Sequence, residues 1–217
     1  MGIKASGLTI IAKIEPTNVL SLSYPDIVCT ADEAEFITGH KVEKFTENNR
    51  WHRKDYPLPE TVDLFTKMGF SLKCVDIVAS RGIEEIVDLN QPCDLGEYGL
   101  VLDCGTTEHC FNIGQALINA ANAVKEGGYI FHTPPVSMVN HGFYNLNPTL
   151  FYDFYTQNGW EIQFISGEVN NKWFNIDAVG RARIPTEASL MVLAKRLNKQ
   201  PLKFPIQSKY LHNPMLK

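Results

Sequence analysis

The sequence predicts a doubly wound α/β fold with a mostly parallel sheet and an antiparallel edge strand. Apolar runs of strand length alternate along the chain with amphipathic segments of helical period. The run at residues 99–103 is almost wholly apolar, as expected for a parallel strand covered on both faces. Two further strands, at 161–169 and 188–194, follow without a helix between them, which indicates an antiparallel closing pair.

Seven segments have the length and apolar content of strands, and together they predict a seven-stranded sheet. They are residues 18–23, 70–78, 83–89, 99–103, 129–133, 161–169 and 188–194.

The helices are predicted from apolar spacing and from the residues that begin and end them. One begins at Pro59, which suits the first helical position, and ends before Gly69. The clearest begins at Ile113, carries one apolar stripe and ends at Gly127-Gly128. A third is opened by Asn147-Pro148 and closed by Gly159, and residues 31–37 have the pattern of a helical turn.

Length and charge restrict the class of protein. The 217 residues suit one large domain at 1–198, with an insertion at about 28–58 and an extended proline-bearing arm at 199–217. Because the net charge is only −4, bulk charge does not favour coating of nucleic acid or of an anionic membrane. A small-molecule substrate is expected, and the arm could join two copies of the chain.

Cysteine usage and the N-terminal segment predict a cytoplasmic protein. Five cysteines at irregular spacing, with no C-x-x-C pair, form a poor disulfide framework. The apolar stretch at residues 8–14 is interrupted by Lys13 and is too short for a signal sequence or a membrane span.

Acidic residues recur near the ends of successive predicted strands. Asp76, Asp88 and Asp103 each occupy such a position, and Cys104-Gly105 follows the last of them. Ligands bind outside the carboxyl ends of the strands in open α/β sheets, and an acid there accepts hydrogen bonds from ribose hydroxyls. The three acids therefore indicate a nucleoside site, although a single strand-end acid is more often a surface residue.

The stretch from Tyr98 to His109, an apolar strand ending at Asp103 and then Cys104-Gly105-Thr106-Thr107-Glu108-His109, resembles the class I S-adenosylmethionine-dependent methyltransferases, in particular their small-molecule branch. Residues 98–109 resemble the fourth strand and following turn of that family, with its Glu-His pair. Residues 124–130, Pro134-Pro135 and 141–146 resemble its later turns and strand, so the resemblance covers about residues 71–169. It implies S-adenosylmethionine as cofactor and methyl transfer to a small-molecule or sugar-like acceptor.

The resemblance implies cofactor contacts from residues at the ends of the first four strands. These are Ser21, Ser23, Tyr24, Asp76, Ile77, Asp88, Leu89, Asp103, Cys104 and Gly105. The catalytic candidates are His109, His132 and His141, which can act as bases near the transferred group. No metal is expected, because no pair of histidines or cysteines has a recognised ligand spacing.

The departure from the family lies in the first turn. The family has a glycine-rich loop there, whereas residues 19–26 contain no glycine, and Asp76 lies 53 residues after Ser23 instead of about 20. The insertion accounts for the distance. A non-catalytic relative acting as a partner-binding or assembly component is therefore the alternative, and a dehydrogenase is a weaker one because it also needs the glycines.

The insertion contains a basic and aromatic segment at residues 51–54. It could contact an anionic substrate, but a solvated loop is the interpretation that we favour from sequence.

Overall fold

The structure is a computed structural model that describes residues 2–46 and 52–211. Trp51, which belongs to the basic and aromatic segment, lies outside the described residues. The strands within them are β1 (Gly2–Lys4), β2 (Asn18–Leu22), β3 (Asp26–Val28), β4 (Phe45–Thr46), β5 (Leu58–Pro59), β6 (Ser71–Asp76), β7 (Glu84–Ile86), β8 (Tyr98–Asp103), β9 (Val124–His132), β10 (Trp160–Val169), β11 (Lys172–Asn175) and β12 (Ser189–Arg196). The helices are α1 (Ala5–Ile11), α2 (Ala31–Thr38), α3 (Thr61–Lys67), α4 (Ile113–Asn122), α5 (Pro148–Gln157) and α6 (Ser208–Leu211), with a single 3₁₀ turn at Thr107–His109.

The main sheet confirms the predicted fold class and differs from the prediction in two details. Its order is β11-β10-β12-β9-β8-β2-β6-β7, so it has eight strands instead of seven. Strands β7, β6, β2, β8 and β9 pair in parallel, whereas β12 runs antiparallel between β9 and β10. Strand β12 is therefore an antiparallel strand inside the sheet, and the additional strand β11, which pairs antiparallel with β10, is an antiparallel strand at the edge.

The additional strand arises from a tight hairpin that the sequence contains but that we did not predict. Asn170 and Asn171 join β10 to β11 and have φ angles of 51° and 58°. Asparagine tolerates this left-handed conformation, and two such residues in succession form a hairpin turn whose twist suits the flanking strands. The edge strand β11 therefore lies between the predicted strands 161–169 and 188–194, where no strand was expected.

The N-terminal segment is part of the core, which the sequence did not indicate. Strand β1 pairs in parallel with β3, and α1 follows it directly. Ile3, Leu8 and Ile11 have no exposed surface and pack with α2 and α3 against one face of the sheet. The other face is covered by α4 and α5, so helices lie on both faces as in a doubly wound fold.

Two predicted helix boundaries are wrong, each for a local reason. Pro59 belongs to β5, and α3 begins at Thr61 because the Glu60 carboxylate caps the backbone amides of Val62 and Asp63. Helix α4 ends at Asn122, and Gly127-Gly128 lies within β9, where the pairing with β8 is irregular. Glycine inside a strand is typical of such an irregularity.

The insertion and the C-terminal arm contain regular structure, and their domain boundaries stay a prediction. Helix α2 is opened by a capping box between Thr30 and Glu33 and ends at Gly39. The arm packs on α5, where Asn158 donates to the Lys203 carbonyl and accepts from its amide at 3.0 and 2.7 Å. Within the described ranges, every helix is too short or too polar to cross a membrane.

Candidate functional site

A buried chain of hydrogen bonds supports the turn that follows β8. Asp103 has no exposed surface, and its carboxylate accepts from the Thr107 hydroxyl at 2.6 Å and from the backbone amides of Thr106 and Thr107. It also lies 2.7 Å from Nδ1 of His132, whose Nε2 lies 2.6 Å from the Tyr155 hydroxyl. We call Asp103, His132 and Tyr155 the buried relay.

The surroundings of the buried relay favour an ionised Asp103 and a protonated Tyr155. Complete burial by itself raises the pKa of Asp103, but the His132 ring and the hydrogen bonds from Thr107 and Thr106 outweigh it and lower that pKa. Burial raises the pKa of Tyr155 well above its ordinary value, which keeps the hydroxyl protonated. The structure thus places Asp103 and His132 inside the protein, where they hold the turn and have no surface free for a ligand.

The other predicted acids lie at the carboxyl edge of the sheet. Asp76 is half-buried at the end of β6, and one of its carboxylate oxygens accepts from the Val78 amide at 3.3 Å. Ile77 and Val78 are 62% and 58% exposed beside it. Asp88 is exposed and bonded to Asn90, and the neighbouring Leu89 is buried. Asp76 with its apolar neighbours therefore forms an open polar and apolar surface, which we call the acid edge.

The turn after β2 adopts a backbone conformation that favours glycine, although it contains none. Ser23 has a φ of 84°, and its amide donates to the Val75 carbonyl at 2.6 Å. A non-glycine residue in this region carries strain of about 1–2 kcal/mol and is common at functional turns. Ser21 is buried, and the structure gives its hydroxyl no partner among the described residues.

Tyr24 and its neighbours close one side of this turn. The Tyr24 hydroxyl donates to the Glu60 carboxylate, and burial together with Glu60 raises the pKa of the phenol. The Arg81 guanidinium lies 5.0 Å from the Tyr24 ring centroid and makes two hydrogen bonds of 2.6 and 2.7 Å to Asp26. The insertion therefore helps to build the end of β2, because Asp26 also pairs with His52 at 3.0 Å.

A cavity of about 350 Å³ lies on the other side of the β8 turn. Its wall combines the N-terminal segment, the β8 turn, the loop after β9 and the insertion. The lining residues that bear on the chemistry are Lys4, Ser6, His52, Cys104, Gly105, Glu108, His141, Glu168 and Ser189. Its volume falls in the range of small-molecule sites.

Most polar groups in the cavity are already paired. Glu168 is 3% exposed; it accepts from the Ser6 hydroxyl at 3.0 Å and pairs with the Lys4 ammonium at 3.4 Å. Burial raises the pKa of the Cys104 thiol to about 12, so this cysteine is a poor nucleophile. Cys104 and Gly105 line the cavity, and the hydroxyl of the adjacent Thr106 contacts Leu22 and Ser23 at the end of β2.

Two of the three predicted catalytic histidines converge at one end of the cavity. Nε2 of His141 lies 3.5 Å, and Nε2 of His109 3.9 Å, from one oxygen of Glu108. The Glu108 carboxylate raises the pKa of His141, although partial burial opposes it. The third histidine, His132, belongs to the buried relay and does not reach this group.

Sequence reasoning therefore found part of the site and missed part of it. It named His109 and His141 but gave Glu108 no role, and it did not place Lys4, Ser6 or Glu168 in a pocket. The Glu-His pair of the family resemblance was the signal available for Glu108. Nothing in the spacing indicates that β1, α1 and β10 meet at this cavity, because those contacts depend on the tertiary fold.

The strand order defines the class of fold. Antiparallel β12 lies between β9 and β10, parallel strands continue beyond β9, and helices cover both faces, so the chain has a doubly wound α/β fold with a mostly parallel sheet. A fold hosts many activities, so this statement concerns architecture alone.

Comparison with solved structures gives remote similarities. TehB from Haemophilus influenzae aligns with a TM-score of 0.46 and 14% identity over 88% of this chain, which spans 62% of the TehB chain. A Bacillus halodurans C-125 protein, provisionally assigned as a methyltransferase, aligns with a TM-score of 0.43 and 11% identity, over 89% of this chain and 99% of its own. No protein-family profile and no curated protein matches the sequence.

Proposed function

We propose that the chain binds S-adenosylmethionine at the acid edge and directs methyl transfer to a small, hydroxyl-bearing acceptor in the cavity. The observation that carries the proposal is Asp76 at the end of β6. Its side chain is half-buried, and among the described residues only one of its oxygens has a hydrogen-bond partner. An acid at the end of the second strand of a doubly wound half is the group that holds ribose hydroxyls.

The residues around Asp76 fit the adenosine part of the cofactor. Ile77 and Val78 offer exposed apolar surface for the base, and exposed apolar side chains beside a carboxylate with an available oxygen are typical of a ligand surface. Asp88 lies beyond β7; Asn90 donates twice to one of its oxygens, and the other oxygen can accept from the exocyclic amino group.

The turn after β2 supports the reactive end of the cofactor in a different way from a glycine loop. Ser23 supplies the left-handed backbone, and its hydroxyl lies 3.2 Å from that of Thr106. Gly105, with a φ of 92°, follows β8 and lines the cavity. This path leads from the acid edge across Gly105 to the cavity, which supports transfer in that direction.

The bound cofactor supplies an electrophilic methyl group on a sulfonium. Transfer breaks its carbon–sulfur bond, forms a bond from carbon to the acceptor and leaves a neutral thioether, and a hydroxyl acceptor also gives up its proton. Glu108 and His141 are the ionisable groups at the β8 end of the cavity, so this end orients the acceptor atom and receives that proton. The cavity hydroxyls of Ser6 and Ser189 suit a sugar-like acceptor.

Calorimetric titration with S-adenosylhomocysteine tests the proposal. Wild-type protein is expected to bind one equivalent, and Asp76→Ala to bind about 10–100-fold more weakly, since a hydrogen bond to a charged group contributes about 1.5–3 kcal/mol. Asp94→Ala is the matched control, because Asp94 also accepts one amide two residues ahead but precedes β8 at the opposite end of the sheet. Equal affinities for the two variants, or no heat from wild type at millimolar ligand, would refute the proposal.

A further inference from the structure

The Glu108 side chain is unusual for a buried acid. It has no exposed surface, and neither carboxylate oxygen has a hydrogen-bond partner among the described residues. Leaving a carboxylate buried without partners is costly, and buried charges are normally paired or coordinate a metal. An additional ligand of this carboxylate would explain its placement.

Two imidazoles lie near one of these carboxylate oxygens, Glu108 Oε1. The Nε2 atoms of His141 and His109 lie 3.5 and 3.9 Å from Glu108 Oε1, and the ring centroids of the two histidines are 5.4 Å apart. One donor atom from each residue fits within a span of 4.8 Å. Ligand atoms about 2.0–2.1 Å from a tetrahedral ion are about 3.4 Å apart, so these separations are close to those of a coordination site.

The backbone holds the three side chains in this arrangement. Thr107, which precedes Glu108, is anchored to Asp103 of the buried relay. The loop that carries His141 is tied to the same turn, because the Phe143 amide donates to the Glu108 carbonyl at 2.9 Å. At Gly142 a Cβ atom would lie 2.9 Å from that carbonyl oxygen, so glycine permits the close approach.

We propose that Glu108, His109 and His141 bind one divalent first-row transition ion at the rim of the cavity. Two imidazoles and one carboxylate suit Zn²⁺ or Fe²⁺, whereas Mg²⁺ and Ca²⁺ prefer oxygen ligands. His109 and His141 are partly exposed, which leaves an open coordination position toward solvent and the cavity. The sequence did not indicate a metal because His141 lies 32 residues after His109 and meets it only through the fold.

The open position gives the ion a use in the proposed reaction. A metal-bound hydroxyl of the acceptor has a lowered pKa and a fixed orientation, so with the ion bound Glu108 and His141 act as ligands and the proton passes to solvent instead of to them. This use rests on the proposed function, but metal binding itself does not, and the experiment below contains neither cofactor nor acceptor.

Competition between the chelator-treated full chain and a chromophoric zinc chelator measures the site directly. We expect one tight Zn²⁺ equivalent in wild type and a loss of at least about 100-fold in affinity in His109→Ala and His141→Ala, since even residues behind the ligands contribute 10–100-fold. His40→Ala, remote from the cluster in sequence and at the end of α2, is the control and is expected to bind as wild type does.

Glu108→Gln separates a metal ligand from a residue needed for folding. Replacing the Glu108 carboxylate, whose oxygens accept no hydrogen bond from the described residues, with an amide of the same shape is expected to leave the metal-free protein folded, while the stabilisation by Zn²⁺ disappears. Co²⁺ bound to wild type should show ligand-field absorbance without the near-ultraviolet band of a thiolate complex. The proposal is overturned if His109→Ala and His141→Ala bind Zn²⁺ as wild type does, or if the bound ion has thiolate ligands.

Discussion

Removing one hydroxyl from the buried relay tests whether the relay supports the fold of the β8 turn. In Tyr155→Phe, Nε2 of His132 loses the hydroxyl that lies 2.6 Å away, and both side chains have no exposed surface. Water cannot replace the hydroxyl without rearrangement, so the ring nitrogen is left unsatisfied. That penalty is about 1–3 kcal/mol, and we expect about 2 kcal/mol.

Urea unfolding followed by circular dichroism measures this loss. In a thermal melt of a chain of this size, a loss of about 2 kcal/mol in the free energy of unfolding corresponds to a melting temperature lower by about 4–8 °C. Tyr152→Phe is the matched control on the same helix, since Tyr152 is half-buried and its hydroxyl has no hydrogen bond to the described residues. A Tyr155→Phe protein within about 0.5 kcal/mol of that control would refute the structural role of the relay.

Four further changes test other parts of the account. The pKa of Asp103 is lower in the folded protein than in the unfolded chain, where it is about 3.9. The ionised carboxylate therefore stabilises the folded state above about pH 3.9, and this contribution is lost as the pH falls through the folded pKa. In urea unfolding between pH 6 and pH 3, wild type should lose stability more steeply than Asp103→Asn. Arg81→Ala should cost about 3–5 kcal/mol in the same assay because it leaves Asp26 buried and partly unpaired. Arg81→Lys should recover only part of this loss, because a lysine keeps a charge near Asp26 but lacks the second nitrogen that donates to the Thr46 hydroxyl. Ser23→Gly should stabilise the protein by about 1 kcal/mol without weakening S-adenosylhomocysteine in calorimetry, whereas a destabilised variant would show that the serine side chain matters more than the turn strain. Gly142→Ala should weaken Zn²⁺ about tenfold or more in the chelator assay by displacing the His141 loop, and unchanged affinity would contradict the close approach.

The sequence predicts the parts of the fold that have a local signal. The apolar run of β8, the stripe of α4 and the Asn147-Pro148 start of α5 were identified because buried strands and amphipathic helices leave a periodic pattern. The turn glycines Gly69 and Gly159, with φ angles of 81° and 72°, were identified because glycine adopts the left-handed conformation that commonly ends a helix. Helix α1 was missed because seven residues are too few for a clear period.

The site was predictable only as far as it follows strand ends. Asp76 and the β8 turn lie at the carboxyl edge of a parallel sheet, where any ligand of this architecture binds, so their positions follow from topology. The difference between the surroundings of Asp76 and Asp103 does not follow from topology. Asp76 is half-buried and has one oxygen without a hydrogen-bond partner among the described residues, whereas Asp103 is enclosed by His132 and Thr107. The meeting of Glu108 with two histidines, and of Glu168 with Lys4, depends on packing between segments distant in sequence.

The position of bound S-adenosylhomocysteine in a crystal structure of the complex tests the central proposal most directly. The account predicts ribose hydroxyls on the Asp76 carboxylate, the base against Ile77 and the sulfur directed past Gly105 toward the cavity. Ligand bound elsewhere on the protein, or crystals soaked at millimolar ligand whose acid edge holds none while Tyr24 and Arg81 fill that space, would contradict it.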